Sequence, residues 1–320
     1  MIDFLIKPGS TDAVEAPDTQ TRVRRLARQL TIATLILMAI GSATRVMNAG
    51  LACPDWPLCY GQLIPSQQMN LQVFLEWFHR LDASLVGFGT LALLGLTWWK
   101  RAHLPFWTPW LALLALGLVA FQGLLGGLTV TELLRFDIVT AHLGTALLFF
   151  STLLTLTLLL TPYEGTGTAG PLRWLGLVAA LFVYGQSLLG AVVASRWALH
   201  QCLASERLCA VMNTHLLGVV PATLATLTLI VWAWKTPALS APLRSLTNAA
   251  LVALVGQVLL GVAALKLRLQ IELLTVAHQS LGAILLGILI AFTVLAWRDQ
   301  AACVPSDSTS WQAPKVQAAQ

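Results

Sequence analysis

Charge is what this chain has least of. Its 320 residues carry 19 basic and 14 acidic side chains, 10% in all, where a soluble globular chain holds roughly 25%. That scarcity excludes a soluble enzyme, a disordered segment rich in charge and a nucleic-acid binder, whose basic residues would cluster on one face. Cysteine is scarce too, at five, too few for a small disulfide-built scaffold. The stretch from Met1 to Arg25 holds no uninterrupted apolar run of the kind found in a cleaved secretory signal. What fills the chain instead is 57% hydrophobic residues, with a mean hydropathy of +0.76. The sequence therefore reads as an all-α integral membrane protein, with membrane lipid as its surroundings. In such a protein each ionisable group inside a span calls for a reason.

A helix crosses the hydrocarbon with about 20 mostly apolar residues. Eight stretches qualify, at about 27–48, 71–98, 105–129, 137–161, 172–196, 211–235, 246–268 and 271–297. Twelve basic residues (Lys7, Arg22, Arg24, Arg25, Arg28, Lys100, Arg101, Arg173, Lys235, Arg244, Arg298 and Lys315) fall on the side of the termini. Seven (Arg45, Arg80, Arg135, Arg196, Arg207, Lys266 and Arg268) fall on the other. The excess of basic residues on one side puts both termini in the cytoplasm of a multi-pass cell-membrane protein. Residues 1–26 and 298–320 read as polar cytoplasmic extensions, poorly ordered. Most of the 12 tryptophans, among them Trp98, Trp99, Trp107, Trp110, Trp232, Trp234 and Trp297, fit an aromatic belt at the interfaces.

Four of the six histidines lie in spans, all on even-numbered helices and one or two turns from the outer end. The separation of His79 from His142 equals that of His215 from His278, so a single shift along the chain carries one pair onto the other. Gln-x-Leu-Leu-Gly recurs at Gln122–Gly126, Gln186–Gly190 and Gln257–Gly261, on helices three, five and seven. These periods predict two homologous four-helix bundles, 27–161 and 172–297, as a parallel repeat about a pseudo-twofold along the membrane normal. A lone histidine in a span is ordinarily a hydrogen-bonded link between helices. Four at matched depth point instead to two facing imidazole pairs, each able to hold a heme iron from both sides. Zinc fits less well, because bundle sites for harder metals recruit several carboxylates, and these spans offer very few.

The halves are not equivalent. Glu76 and Arg80 flank His79, whereas the same shift places Met212 and Leu216 there. Glu76 shares a helix face with His79, so it suits proton handling beside a reacting heme. The bland reading is an i,i+4 ion pair contributing about 0.2–0.5 kcal/mol. Arg80 and Arg45 are candidate partners for a heme propionate or a proton, though Arg45 could also simply snorkel to the interface. Of the other histidines, His103 reads as solvated in a cytoplasmic loop and His200 as an outer-loop residue near the second heme edge. Cys53 and Cys59 sit in the outer loop after helix one, and Cys202 and Cys209 in the equivalent loop after helix five. Their spacing on the oxidising side argues for disulfides Cys53–Cys59 and Cys202–Cys209. A four-cysteine zinc site remains the competing idea. Cys303 should be a free thiol, and Pro54, Trp56 and Pro57 a rigid aromatic loop tip.

Gly41-Ser-Ala-Thr-Arg45, the segment Gly50–Gly61, Glu76-x-x-His-Arg80, Ala141-His142-Leu-Gly144, Thr214-His215 and Ala277-His278-Gln279 together resemble the heme A synthase family, over roughly 27–297. The resemblance implies oxidation of the C8 methyl of heme O to a formyl group by successive hydroxylations, giving heme A for terminal oxidases. It implies heme O as substrate between His79 and His142, heme B as the iron cofactor between His215 and His278, and Glu76 as the catalytic acid. Both hemes would lie toward the outer leaflet. The heme O synthase and an electron-transfer partner would be its companions, with a homo-oligomer left open and no nucleic acid. The alternative is a diheme b-type cytochrome that carries electrons.

Overall fold

The structure, a computed structural model, describes residues 16–193, 206–267 and 270–301. Eight long helices are found there: α1 (Ala16–Val46), α2 (Leu71–Trp99), α3 (Thr108–Thr131), α4 (Phe136–Leu159), α5 (Leu172–Val193), α6 (Glu206–Lys235), α7 (Ala241–Lys266) and α8 (Glu272–Ala301). All eight are long and apolar enough to cross a membrane. No strand occurs among the described residues, only an isolated bridge between Cys59 and Gln62. Local signals set several starts. Asn70 caps α2 by accepting the Val73 N–H at 2.9 Å, and proline occupies the first turn of α3 and α7, where its missing N–H costs nothing. Hydroxyls inside the helices turn back on their own backbone, as Thr31, Thr34, Thr90, Thr157 and Thr293 do on the residue four earlier. These polar groups are therefore paired without help from water.

The two ends of the chain extend the helices beyond the expected spans. The polar segment before residue 27 is helical from Ala16, because Val23 and Ala27 give it a buried face and are fully enclosed. Gln20 also reaches the Leu160 carbonyl at 3.4 Å. At the other end α8 runs past Trp297 to Ala301, and its last turn is anchored. Asp299, with no exposed surface, accepts the N–H groups of Thr166 and Ala169 at 2.8 and 2.9 Å and the Tyr163 hydroxyl at 3.1 Å. Arg298 donates to the carbonyls of Leu158 and Thr161 at 2.6 and 2.7 Å. The 160–171 linker is thus held by the end of α8. Residues beyond 301, with Cys303, lie outside the described residues.

Packing organises the helices into two closed groups. Helices α1, α2, α3 and α4 each pack on the next, and α4 returns to α1; α5, α6, α7 and α8 close in the same way. Contacts α1–α8, α4–α8 and α4–α5 join the groups, so exchanging one group for the other leaves the pattern unchanged. A parallel two-bundle repeat is consistent with that symmetry. α4 serves both cores: Phe149, Leu153 and Leu156 face the first, while Leu147 and Phe150 face the second, beside Leu285, Leu286 and Phe292 of α8. Gly287 lets the Phe150 ring lie against the α8 backbone, where an added Cβ would stand 3.0 Å from it. Trp98, Trp99, Trp110, Trp232 and Trp234 are exposed, as a belt requires, but Trp107 is buried in the first core.

Candidate functional site

A single arrangement recurs at all four span histidines. His79 on α2 lies against Gly41 of α1, His142 on α4 against Gly126 of α3, His215 on α6 against Gly190 of α5, and His278 on α8 against Gly261 of α7. A Cβ at these glycines would stand 2.8, 3.5, 3.1 and 2.9 Å from the imidazole Cε1. Three of the four are the closing glycines of the Gln-x-Leu-Leu-Gly repeat, and Gly41 is the fourth without its glutamine, Leu37 standing in that place. The glycine therefore makes room for an imidazole in the seam between two helices. In the second bundle the glutamine four positions before the glycine supports the ring. His278 Nδ1 is 3.2 Å from the Gln257 carbonyl, and the Gln186 side chain binds His215 Nδ1 at 3.0 Å and its carbonyl at 2.7 Å. Where Nδ1 donates to a carbonyl, as at His278, the ring lone pair is left on Nε2, the nitrogen that could meet a metal.

The rings come in pairs. His79 and His142 line one cavity of about 830 Å³ in the first bundle, and His215 and His278 take the equivalent seats in the second. Deep in the cavity the walls are apolar, with Leu37, Met38, Val86, Val119 and Phe149. Its mouth carries Arg45, Arg80, Glu132 and Arg135. Arg135 is committed there to Asp137 at 2.8 Å and Glu132 at 3.2 Å.

The loop after α1 closes the mouth from one side. Cys53 and Cys59 form a disulfide, with Cα atoms 4.8 Å apart and both residues buried. Asp55 accepts the N–H groups of Tyr60 and Gly61 at 2.6 and 2.8 Å, which fixes the left-handed turn at those residues. Trp56 lies on Gly127 of α3, where a Cβ would meet the indole at 3.3 Å, and it lines the cavity with Pro57. Glu76 and Arg80 tie this loop to α2. Glu76, only 4% exposed, accepts the Cys53 N–H at 2.8 Å and the Arg80 guanidinium at 2.5 Å. Arg80 also donates to the carbonyls of Asp55 and Leu58, at 2.6 and 2.5 Å.

The model of the cytochrome oxidase assembly protein family, COX15-CtaA, matches residues 24–290, from the first turns of α1 to the middle of α8. The chain belongs to that family. Among curated relatives, the heme A synthase of Shewanella oneidensis is 32% identical over 198 residues, 56% of this chain and 59% of the relative. That of Bacillus licheniformis is 34% identical over 130 residues, covering 40% and 42%. The chain thus spans about half the length of these two. The heme A synthase of Shouchella clausii is 26% identical over 298 residues, 87% of this chain and 98% of the relative.

For this COX15-CtaA member the resemblance read from the motifs and the family match agree. The geometry gathers Glu76, His79, Arg80, Arg45 and His142 around one cavity. Cys53–Cys59 is formed, which removes these two cysteines from a zinc site; Cys202, the side chain of Cys209 and His200 lie outside the described residues. His103 ends a short 3-10 turn, Arg101–His103, and is half-buried rather than solvated. Sequence reasoning did not single out Gln279, Asn48, Glu132 or Arg135, which also line the cavity. Gln279 stood beside His278 in a quoted motif, which was the available signal.

Proposed function

We propose that the protein is a heme A synthase, taking heme O as substrate in the first-bundle cavity and oxidising its C8 methyl to the formyl group of heme A. The observation that carries this reading is the fourfold histidine-on-glycine seat, with one pair opening on a cavity of about 830 Å³. His79 and His142 are the axial partners of the substrate iron. The apolar depth takes the macrocycle, and the cationic mouth faces its carboxylates. Arg45 is the group we assign to a propionate, because Arg80 is taken up by loop carbonyls and Glu76.

His215 and His278 suit heme B. Their donor set is two imidazoles on facing helices, each in a glycine cradle that a Cβ would fill. When bound, heme B would supply one-electron transfer. Gln186 and Gln257 fix the ring orientations. Glu76 uses two acceptor sites, for the Cys53 N–H and Arg80. A carboxylate has about four, so acceptor sites remain for a donor in the cavity. Exclusion of water falls to Trp56 and the disulfide loop. The basic-residue asymmetry supports a cell-membrane location, cytoplasmic termini and hemes toward the outer leaflet, because the loop and cavity lie at the helix ends opposite the termini. A heme O synthase and an electron partner then complete the reaction.

The test is co-expression with a heme O source, then extraction and chromatography of the hemes. Heme A is expected from the wild type. His79→Ala and His142→Ala should abolish it and keep heme B, and His215→Ala should lose heme B. Both sites filled with no heme A formed would refute the assignment in favour of an electron carrier.

A further inference from the structure

The first cavity is not built by the first bundle alone. Gln279 belongs to α8, next to His278, yet it lines the cavity that holds His79 and His142. Its Oε1 accepts the Arg45 guanidinium at 2.7 Å and the Ser42 hydroxyl at 3.0 Å, both from α1. Arginine only donates, so the amide oxygen has to face it. Arg45 forms no ion pair within 4 Å among the described residues. It therefore stands in the cavity as a cation held by a neutral acceptor, with its charge uncompensated by a carboxylate.

The repeat lacks this cluster on its other side. The residue after His142 is Leu143, in the place of Gln279, and it packs among the apolar side chains of the second core. Aligning Gly190 with Gly41 puts Ala191 and Ala194 where Ser42 and Arg45 stand. A buried cation without a counter-ion is unfavourable, and it is retained where a ligand brings the anion.

We infer that Gln279, contributed by the second bundle, positions Arg45 to bind a carboxylate of the ligand in the first-bundle cavity. The two bundles thereby build one anion-selective site at their seam. The neutral amide matters as much as the bond. A carboxylate in its place would hold Arg45 equally well but would cancel the charge offered to the ligand. This inference rests on heme O being the occupant of the cavity.

The experiment titrates heme O and its dimethyl ester, whose carboxylates are neutral, into the full-length, detergent-solubilised protein carrying its second-site heme. Binding is read by visible absorption. The wild type should prefer the diacid by about tenfold or more, as for a charge-assisted hydrogen bond. Gln279→Glu should cut that preference to within about twofold, because Arg45 is then neutralised. Gln279→Leu should lower it about threefold or more through loss of orientation, and Arg45→Gln should erase it. The ratio of diacid to ester is the decisive readout, since loosened packing weakens both ligands alike. The second-site heme spectrum should be unchanged throughout. Full preference in Gln279→Glu, Gln279→Leu or Arg45→Gln overturns the inference, as does a wild type that binds acid and ester equally. A wild type with no His79-dependent binding of either form overturns the heme O reading itself. Should Gln279→Glu fail to accumulate, Gln279→Leu decides alone.

Discussion

The four histidine seats differ in tightness, and the difference can be tested by adding one methyl group. At Gly41 a Cβ would come within 2.8 Å of His79 Cε1. Ordinary carbon–carbon contact begins near about 3.5 Å, so the ring has to withdraw by about 0.7 Å. At Gly126 the same atom would stand 3.5 Å from His142 Cε1, already at contact distance. Overpacking of this kind costs about 1–3 kcal/mol, and about 1.4 kcal/mol is tenfold in affinity. Gly41→Ala should therefore weaken heme binding in the first cavity by about ten- to a hundredfold, and Gly126→Ala by less than about twofold. Loss of helix cannot explain the difference, since alanine favours a helix over glycine by about 1 kcal/mol at both sites. Visible titration of heme O into each variant measures the effect, and the second-site heme, whose seats are untouched, serves as internal control. Equal binding by Gly41→Ala and wild type would show that His79 does not meet the iron from this seat. Equal damage at Gly126 would show that the seats are not distinguished by contact distance.

Other perturbations separate anchoring from chemistry. Glu76→Gln keeps an acceptor for the Cys53 N–H but loses the charge. It should leave the loop in place and stop turnover, whereas Glu76→Ala should also loosen the loop, read by faster reduction of Cys53–Cys59. Cys53→Ser should lower stability by about 2–4 kcal/mol and weaken heme retention, because Trp56 then loses its tether over the cavity. Asp299→Ala should lower the melting temperature with normal heme spectra, since two backbone N–H groups and the Tyr163 hydroxyl lose a buried acceptor at about 1–3 kcal/mol each. Burial, with a smaller contribution from Asp299, pushes the Tyr163 hydroxyl up to about 12. Its raised value stabilises the fold fully below the ordinary tyrosine range near about 10 and is lost as pH climbs toward 12. Tyr163→Phe should flatten that alkaline fall in melting temperature.

The spans and the histidine repeat were legible because both are periodic: apolar length marks a helix in lipid, and equal spacing within the two histidine pairs needs no partner to be seen. The helix ends were less legible. Val23 stands between Arg22 and Arg24, and Leu26-Ala27 between Arg25 and Arg28, and only packing shows that Val23 and Ala27 form a buried face. Asp299 looks like a tail acid in sequence, yet it is fully enclosed, because its partners lie far earlier in the chain, in the 160–171 linker. Arg80 was legible as a charge near the ligand but not as a loop clamp, since it bonds to backbone carbonyls, which every residue possesses. Gln279 was hidden for the same reason of distance: its contacts, Arg45 and Ser42, stand on the first helix while it stands on the last.

What repeats and what does not then divide the labour of the molecule. The glycine seat occurs four times and needs only a helix pair, so on the proposed reading it would hold a flat metal-bearing ligand in either bundle. A seat of that kind favours tight, permanent binding, which suits a cofactor and hinders a substrate that must leave. In the described structure the features that could relieve this belong to the first bundle. A hydrogen-bonded loop stands over its cavity, a carboxylate with spare acceptor sites faces inward, and an arginine offers a charge that a departing ligand gives up to water. On the proposed reading, retention follows from the repeat, and exchange with chemistry from the residues that break it.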